Sequence, residues 1–290
     1  MKGTNFLRVV YYFIKRDFKI WTYFKVNFLL EIIEIVVDVA TMAIIAFATK
    51  DFLKQRLQAY GGDFFNYVIL GLVCNSILSV ALTSPSTAIR DAYWNRRIEI
   101  LLSAPISPPL IITALSIGPI IRASMRILVY LTIALLVGLT IRSMTLLGLV
   151  ILIAGFISSI GLGLISSSMF YLLEAKGGGD PVEWIVNIIA RLFSGLYYPL
   201  DILPEWCRWL SLLVPHTYVF DAERRILLGV TSNIPTLPLH LYSSSIGLTP
   251  ILTDLIILTF YAVITPPIGY YLLKRGFKKA LRDGRLSWWS

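Results

Sequence analysis

Charge is what this 290-residue chain has least of. Asp, Glu, Lys and Arg together make up 15% of it, against 57% hydrophobic residues and a mean hydropathy of +0.75. Soluble domains average about 25% charged and about 45–50% apolar residues. The composition therefore excludes an ordinary cytoplasmic enzyme, and equally a disordered or fibrous chain. Cysteine is nearly absent: Cys74 and Cys207 lie far apart, which excludes a disulfide framework and a cysteine metal cluster. The two histidines, His216 and His240, lack Glu-x-x-His or similar spacing, so they read as surface or structural side chains and no metal site is expected. No G-x-x-x-x-G-K-S/T phosphate loop occurs. The one glycine run, Gly177-Gly178-Gly179, leads into Asp180-Pro181, whose carboxylate would repel a phosphate. The chain is thus not expected to bind ATP by itself. No signal peptide is expected either, since the first long apolar run begins near residue 26 behind a basic, aromatic segment.

What is present is long apolar runs, and the bilayer is the solvent they suit. A membrane helix needs roughly 20 apolar residues, and six such runs are read at about 26–49, 64–89, 110–140, 146–173, 181–199 and 250–273. Residues 5–25 are too charged to span. Phe6, Val10, Phe13, Ile14, Trp21 and Phe24 recur at helical spacing opposite Arg8, Lys15, Lys19 and Thr22, the pattern of an amphipathic helix lying in the headgroup plane. The start of the fifth run carries Asp180 as N-cap, Pro181 at the first helical position and Glu183 where a capping box wants it. Residues 200–249 are apolar but broken by Pro204, Pro215, Pro235 and Pro238, which predicts short half-buried helices.

The net charge of +9 fits cytoplasmic loops of a membrane protein better than a nucleic-acid partner. With both termini inside, sixteen cations fall on inner segments and seven on outer ones, and Arg122, Arg126 and Arg191 lie within spans. This distribution predicts a multi-pass protein of the plasma membrane with both ends cytoplasmic.

Two segments between the spans carry structure of their own. Arg96, Arg97 and Glu99 precede the apolar pair Leu101-Leu102, and Pro105 stops the helix: a short amphipathic helix over about 91–105, lying across the inner face. In 194–229, prolines bracket short apolar helices, so backbone polar groups are freed at membrane depth. That is tolerated only inside protein or along a wet cavity, as in re-entrant helices capping the outer mouth of a pathway.

On these residues the chain resembles the membrane permease subunit of type-2 ABC exporters. The family's E-x-L-L-x-x-P-x-S coupling helix corresponds to Glu99, Leu101, Leu102, Pro105 and Ser107. Its outer signature corresponds to Ser194, Gly195, Pro199, Leu203, Pro204, Trp206, Pro215, Thr217, Tyr218, Asp221, Arg224, Leu227, Leu228 and Gly229. The stretch from Thr231 to Pro250 departs from the pattern, being long and rich in proline. The resemblance implies an all-α integral membrane protein, a single permease domain over 1–290. It would have six transmembrane helices, an N-terminal interfacial helix, a cytoplasmic coupling helix and outer re-entrant helices. It implies ATP-driven export, with ATP and Mg²⁺ bound by a separate ATPase subunit, and the short outer loops fit a drug, lipid or glycolipid as cargo. Six spans are half of the usual twelve, which implies a homodimer or a heterodimer with a second permease. Arg96, Arg97 and Glu99 would carry the coupling, and Tyr197 and Tyr198 would line the exit.

Three features remain to be placed. Gly155, Ser159, Gly163 and Ser167 form a small-residue ridge at i, i+4 spacing, expected to pack within one subunit. In the first span Glu31, Glu34 and Asp38 fall within about 60° of one another on an ideal helix. Arg122 and Arg126 sit at matching depth to Glu31 and Glu34, which predicts pairing across helices, while Asp38 faces the pathway or reaches Arg191. Asp221, Glu223, Arg224 and Arg225, at i, i+3 and i, i+4 spacing, read as a solvated helix pair. The rival reading, a membrane-embedded lipid-modifying enzyme, would need a catalytic constellation that Asp201, Glu205, His216 and Asp221 do not form.

Overall fold

The computed structural model describes residues 25–94, 108–172, 180–230 and 234–282, and places Tyr11, Tyr12, Lys15 and Lys19 in helix. The described residues form helices and turns, with no strand among them. The long helices are α1 (Lys25–Leu53), α2 (Phe64–Trp94), α3 (Pro108–Val137) and α4 (Leu146–Leu172). After them come α5 (Pro181–Leu192), α6 (Glu205–Ser211), α7 (Pro215–Leu227), α8 (Pro238–Ser244) and α9 (Pro250–Arg282). Four of these, α2, α3, α4 and α9, are long and apolar enough to cross a membrane. α1 is as long, with 29 residues, but carries Glu31, Glu34 and Asp38.

The fifth expected span is shorter than the sequence suggests. α5 has 12 residues, about 18 Å at 1.5 Å per residue, which cannot cross a hydrocarbon core of about 30 Å alone. The chain leaves helix at Phe193, and Gly195, at φ 77°, turns it toward Pro199. The expected cap is also rebuilt. Asp180 precedes α5 and Pro181 opens it, but the Asp180 side chain makes no cap bond. It pairs instead with Arg90 of α2 at 3.2 Å, while the Ser166 hydroxyl of α4 accepts from the Glu183 amide at 3.0 Å. A tertiary partner has replaced the local one.

α4 is the spine of the bundle because its small residues let three other helices reach its backbone. A Cβ on Gly163 would lie 2.4 Å from the Leu82 carbonyl of α2, and one on Gly155 2.4 Å from Val219 of α7. The ridge of small residues thus packs within one subunit. On the opposite side α9 lies close enough that Thr265 donates to the Ser158 carbonyl at 3.0 Å.

Several connections at one end of the bundle are tied together, and we call this the capped end. The turn after α1 meets the segment after α5 through Arg56 and Asp201, 3.1 Å apart. The loop before α4 is held by Asn66, whose amide contacts both the Thr140 hydroxyl and its backbone N–H at 2.9 Å. The Arg142 amide then donates to the Leu227 carbonyl at 2.8 Å. Away from this end the outer surface is apolar: Ile33, Ile44 and Phe47 of α1 and Ile256, Phe260 and Val263 of α9 are exposed. Contiguous apolar surface of this kind suits lipid.

Candidate functional site

α7 sits inside the capped end with every residue from Pro215 to Ile226 buried. This overturns the solvated helix expected for its charges. Asp221, Glu223, Arg224 and Arg225 are all 3% exposed or less. The i, i+4 spacing reports a helix, not what covers it. Enclosing so polar a helix makes partners for its charges important, because an unpaired buried polar group costs about 1–3 kcal/mol.

Arg224 finds them in backbone. Its Nε donates to the Tyr67 carbonyl, Nη1 to Gly195 and Nη2 to Leu196, each at 2.8 Å. The guanidinium lies 3.5 Å from the centre of the Tyr67 ring, and the Tyr67 hydroxyl donates to the same Gly195 carbonyl at 2.6 Å. Gly71 makes the room, since a Cβ there would stand 2.1 Å from Nη2. One side chain therefore clamps α2 to the turn that ends α5.

Arg225 and Asp221 form the second knot. Arg225 Nε donates to Asp221 Oδ2 at 2.7 Å, and Nη2 donates to the Ile234 carbonyl and the Thr236 hydroxyl at 2.9 Å. Asp221 Oδ1 accepts from the Thr236 hydroxyl at 2.5 Å and from the Tyr60 hydroxyl. Burial pushes the Asp221 carboxyl up, but the Arg225 charge and these donors outweigh it and hold it well below the ordinary carboxylate range. The knot gathers the turn after α1, α7 and the segment before α8.

His240 and Asp254 complete the cluster, with Nε2 of the ring 3.0 Å from Asp254 Oδ1. Asp221, His240 and Asp254 each offer a ligand atom within 4.8 Å of the others, the spread of a metal site. The donor chemistry argues otherwise. The backbone amides of Thr236 and Leu237 donate to His240 Nδ1 at 3.4 Å, so the ring proton sits on Nε2 and points at Asp254. With Nδ1 held by these amides, a cation could reach the ring only at Nε2, where it would have to displace that proton. Both histidines are buried, at 0% and 1% exposure, which excludes the surface alternative expected for them.

The other predicted outer residues frame this helix. Pro199 precedes a short 3₁₀ turn over Leu200–Ile202, Leu203 closes that turn, and Pro204 leads into α6. Pro215 opens α7, and Gly229, at φ 64°, ends the turn after it. Tyr198 donates to the Leu192 carbonyl, and Tyr197 is half-buried beside the core. Sequence reasoning missed Tyr60, Tyr67, Gly71 and Thr236. Their role depends on chain segments up to 161 residues away, and no local pattern marks them.

The second polar region is the acidic stripe of α1. Glu34 and Asp38 are exposed and Glu31 half-exposed. Glu34 pairs with Arg126 of α3 at 2.9 Å. The side chain of Arg122 lies outside the described residues. Asp38 lies near Tyr130 of α3, whose buried hydroxyl has no hydrogen-bond partner. Arg191 is exposed in the last turn of α5. The expected coupling residues Arg96, Arg97, Glu99, Leu101, Leu102 and Pro105 also lie outside the described residues.

A polar stripe on an apolar bundle, with a buried charged helix at one end, suits a protein of the membrane. The chain is a member of the ABC-2 type transporter family, whose sequence model matches residues 8–228. It is similar to the inner membrane transport permease YadH of Escherichia coli strain K12, at 23% identity over 252 residues covering 83% of this chain and 88% of that protein. The permeases of the same name in Escherichia coli O157:H7 and Shigella flexneri match to the same extent.

Proposed function

We propose that this chain is the permease subunit of an ATP-driven exporter, moving a hydrophobic or amphipathic substrate such as a drug, lipid or glycolipid. A separate ATPase subunit binds the ATP and Mg²⁺. The observation that carries this reading is the α1 stripe. Glu34 and Asp38 are exposed on a helix whose other exposed residues are apolar except Thr41, and the Thr41 hydroxyl is satisfied by the Val37 carbonyl. An ionised carboxylate at mid-bilayer costs roughly 2.5–3.5 kcal/mol on insertion scales. That cost is avoided when the stripe faces a second permease, identical or not, across a hydrated pathway. A groove of about 320 Å³ between α2, α3 and α4, lined by Ile77, Val80, Ile120, Ile127 and Phe156, offers an apolar wall to cargo.

The positive-inside distribution puts both termini in the cytoplasm and the capped end outside. The segment over about 91–105 then meets the ATPase, with Arg96, Arg97 and Glu99 fixing the register and Leu101, Leu102 and Pro105 forming the docked face. ATPase closure pushes this segment, the long helices move as near-rigid bodies, and the cap around α7 opens to release cargo. The test is co-expression with a candidate ABC ATPase subunit. The expected result is co-purification of the two chains, weakened by Glu99→Ala together with Arg97→Ala. Purification free of any ATPase would overturn the reading, and turnover of a lipid by the isolated chain would favour an enzyme.

A further inference from the structure

One face of α7, with Val219, Glu223 and Ile226 at helical spacing, is seated against α4 and α2. A Cβ on Gly148 of α4 would lie 3.3 Å from Glu223 Oε2 and 3.4 Å from Ile226. Glu223 is 1% exposed, and neither of its carboxyl oxygens has a hydrogen-bond partner. Its surroundings supply no compensating charge. α2 brings the Cys74 thiol and α4 brings Gly148. His216, two turns earlier on α7, is kept neutral by burial. On α9, Asp254 is turned to His240. Arg224 is committed to three carbonyls, and Arg225 to Asp221 and the 234–236 segment.

An ionised carboxylate without partners is expelled from such a seat, whereas the neutral acid loses only its own hydrogen bonds to water. We propose that Glu223 is a proton-binding switch in the cap: α7 stays seated against α2 and α4 with Glu223 protonated, and loss of that proton to water unseats it. Burial accordingly raises the Glu223 carboxyl above its ordinary value. The inference goes beyond the export reading and concerns the seat of α7 whatever the cargo is. By linkage, between the ordinary glutamate value near pH 4 and the raised seated value each pH unit multiplies the open-to-seated ratio about tenfold, and above the seated value the ratio levels off.

Cys74 lies beneath the seat at 3% exposure and reports its opening. In the full chain with Cys207→Ser, reconstituted in liposomes, the alkylation rate of Cys74 by a membrane-permeant maleimide is compared with and without Glu223→Gln. Taking the ratio of the two rates cancels the titration of the thiol itself. The expected ratio is near one at about pH 4, climbs by up to about tenfold per pH unit above that, and levels off once pH passes the raised seated value. A ratio that stays flat from about pH 4 to about pH 9 overturns the proposal. If Glu223→Gln does not fold, Glu223→Met provides the neutral reference. A protonated-carboxyl C=O band in the infrared spectrum at neutral pH, lost in the neutral variant, is the second readout, and its absence from the unmodified chain also overturns the proposal.

Discussion

α7 and α1 each carry acidic and polar side chains through an apolar protein, and they handle them in opposite ways. α7 encloses Asp221, Arg224 and Arg225 and gives each a set of close partners. α1 leaves Glu34 and Asp38 on the surface, with one exposed ion pair to Arg126. The difference separates charge that holds the fold from charge that is open to something outside the chain. A buried group without its partner costs several kcal/mol. An exposed pair is worth about 0.2–1 kcal/mol.

The sharpest way to break this contrast is at Arg224. Arg224→Met would strand three carbonyls and should lower stability by at least about 3 kcal/mol, with little monodisperse protein surviving detergent extraction. Arg224→Lys should rescue only part, since one ammonium cannot reproduce the planar three-way fork. Near-normal recovery of Arg224→Met would show that the clamp contributes little.

Acid should attack the second knot. The Asp221 carboxyl is depressed in the folded chain, so its contribution is present above the ordinary carboxyl value near pH 4 and is lost as pH falls through the folded value. The melting temperature should therefore drop more steeply below about pH 4 in the unmodified chain than in Asp221→Asn. Parallel slopes in the two proteins would remove Asp221 from the acid response.

Gly71→Ala tests the packing rather than the charge. Its Cβ would stand 2.1 Å from Arg224 Nη2, and the forced shift should cost about 1–3 kcal/mol in thermal or denaturant unfolding. An unchanged melting temperature would mean that the clamp relaxes freely.

The smallest stability effects belong to α1. A double-mutant cycle on Glu34→Gln and Arg126→Gln should give a coupling of roughly 0.2–1 kcal/mol. Asp38→Asn should leave melting within about 0.5 kcal/mol of the unmodified chain while lowering ATP-dependent transport in proteoliposomes. Normal transport by Asp38→Asn would remove Asp38 from the pathway. A large loss of stability instead would place α1 in the same class as α7.

The helices were readable because their cause is local: apolar runs near 64, 110, 146 and 250 begin α2, α3, α4 and α9 within a few residues. α5 is shorter than its run of sequence because Gly195 adopts a left-handed turn, a conformation that hydropathy does not report. The Glu34–Arg126 contact could be anticipated from depth alone, and Gly155 and Gly163 from their spacing. The partners of α7 could not. The same i, i+4 charges would suit a solvated helix, and only the arrival of Tyr60, Tyr67 and Thr236 from distant segments distinguishes the two cases.

By itself the sequence determined a basic, apolar, all-helical membrane chain with few charges, because hydropathy and helical period depend only on neighbouring residues. The tertiary structure decided which of those few charges are spent on the fold. Burial and hydrogen-bond closure depend on groups brought together from across the chain, and this enclosed Arg224 and Asp221, left Glu223 without a partner and kept Glu34 and Asp38 at the surface.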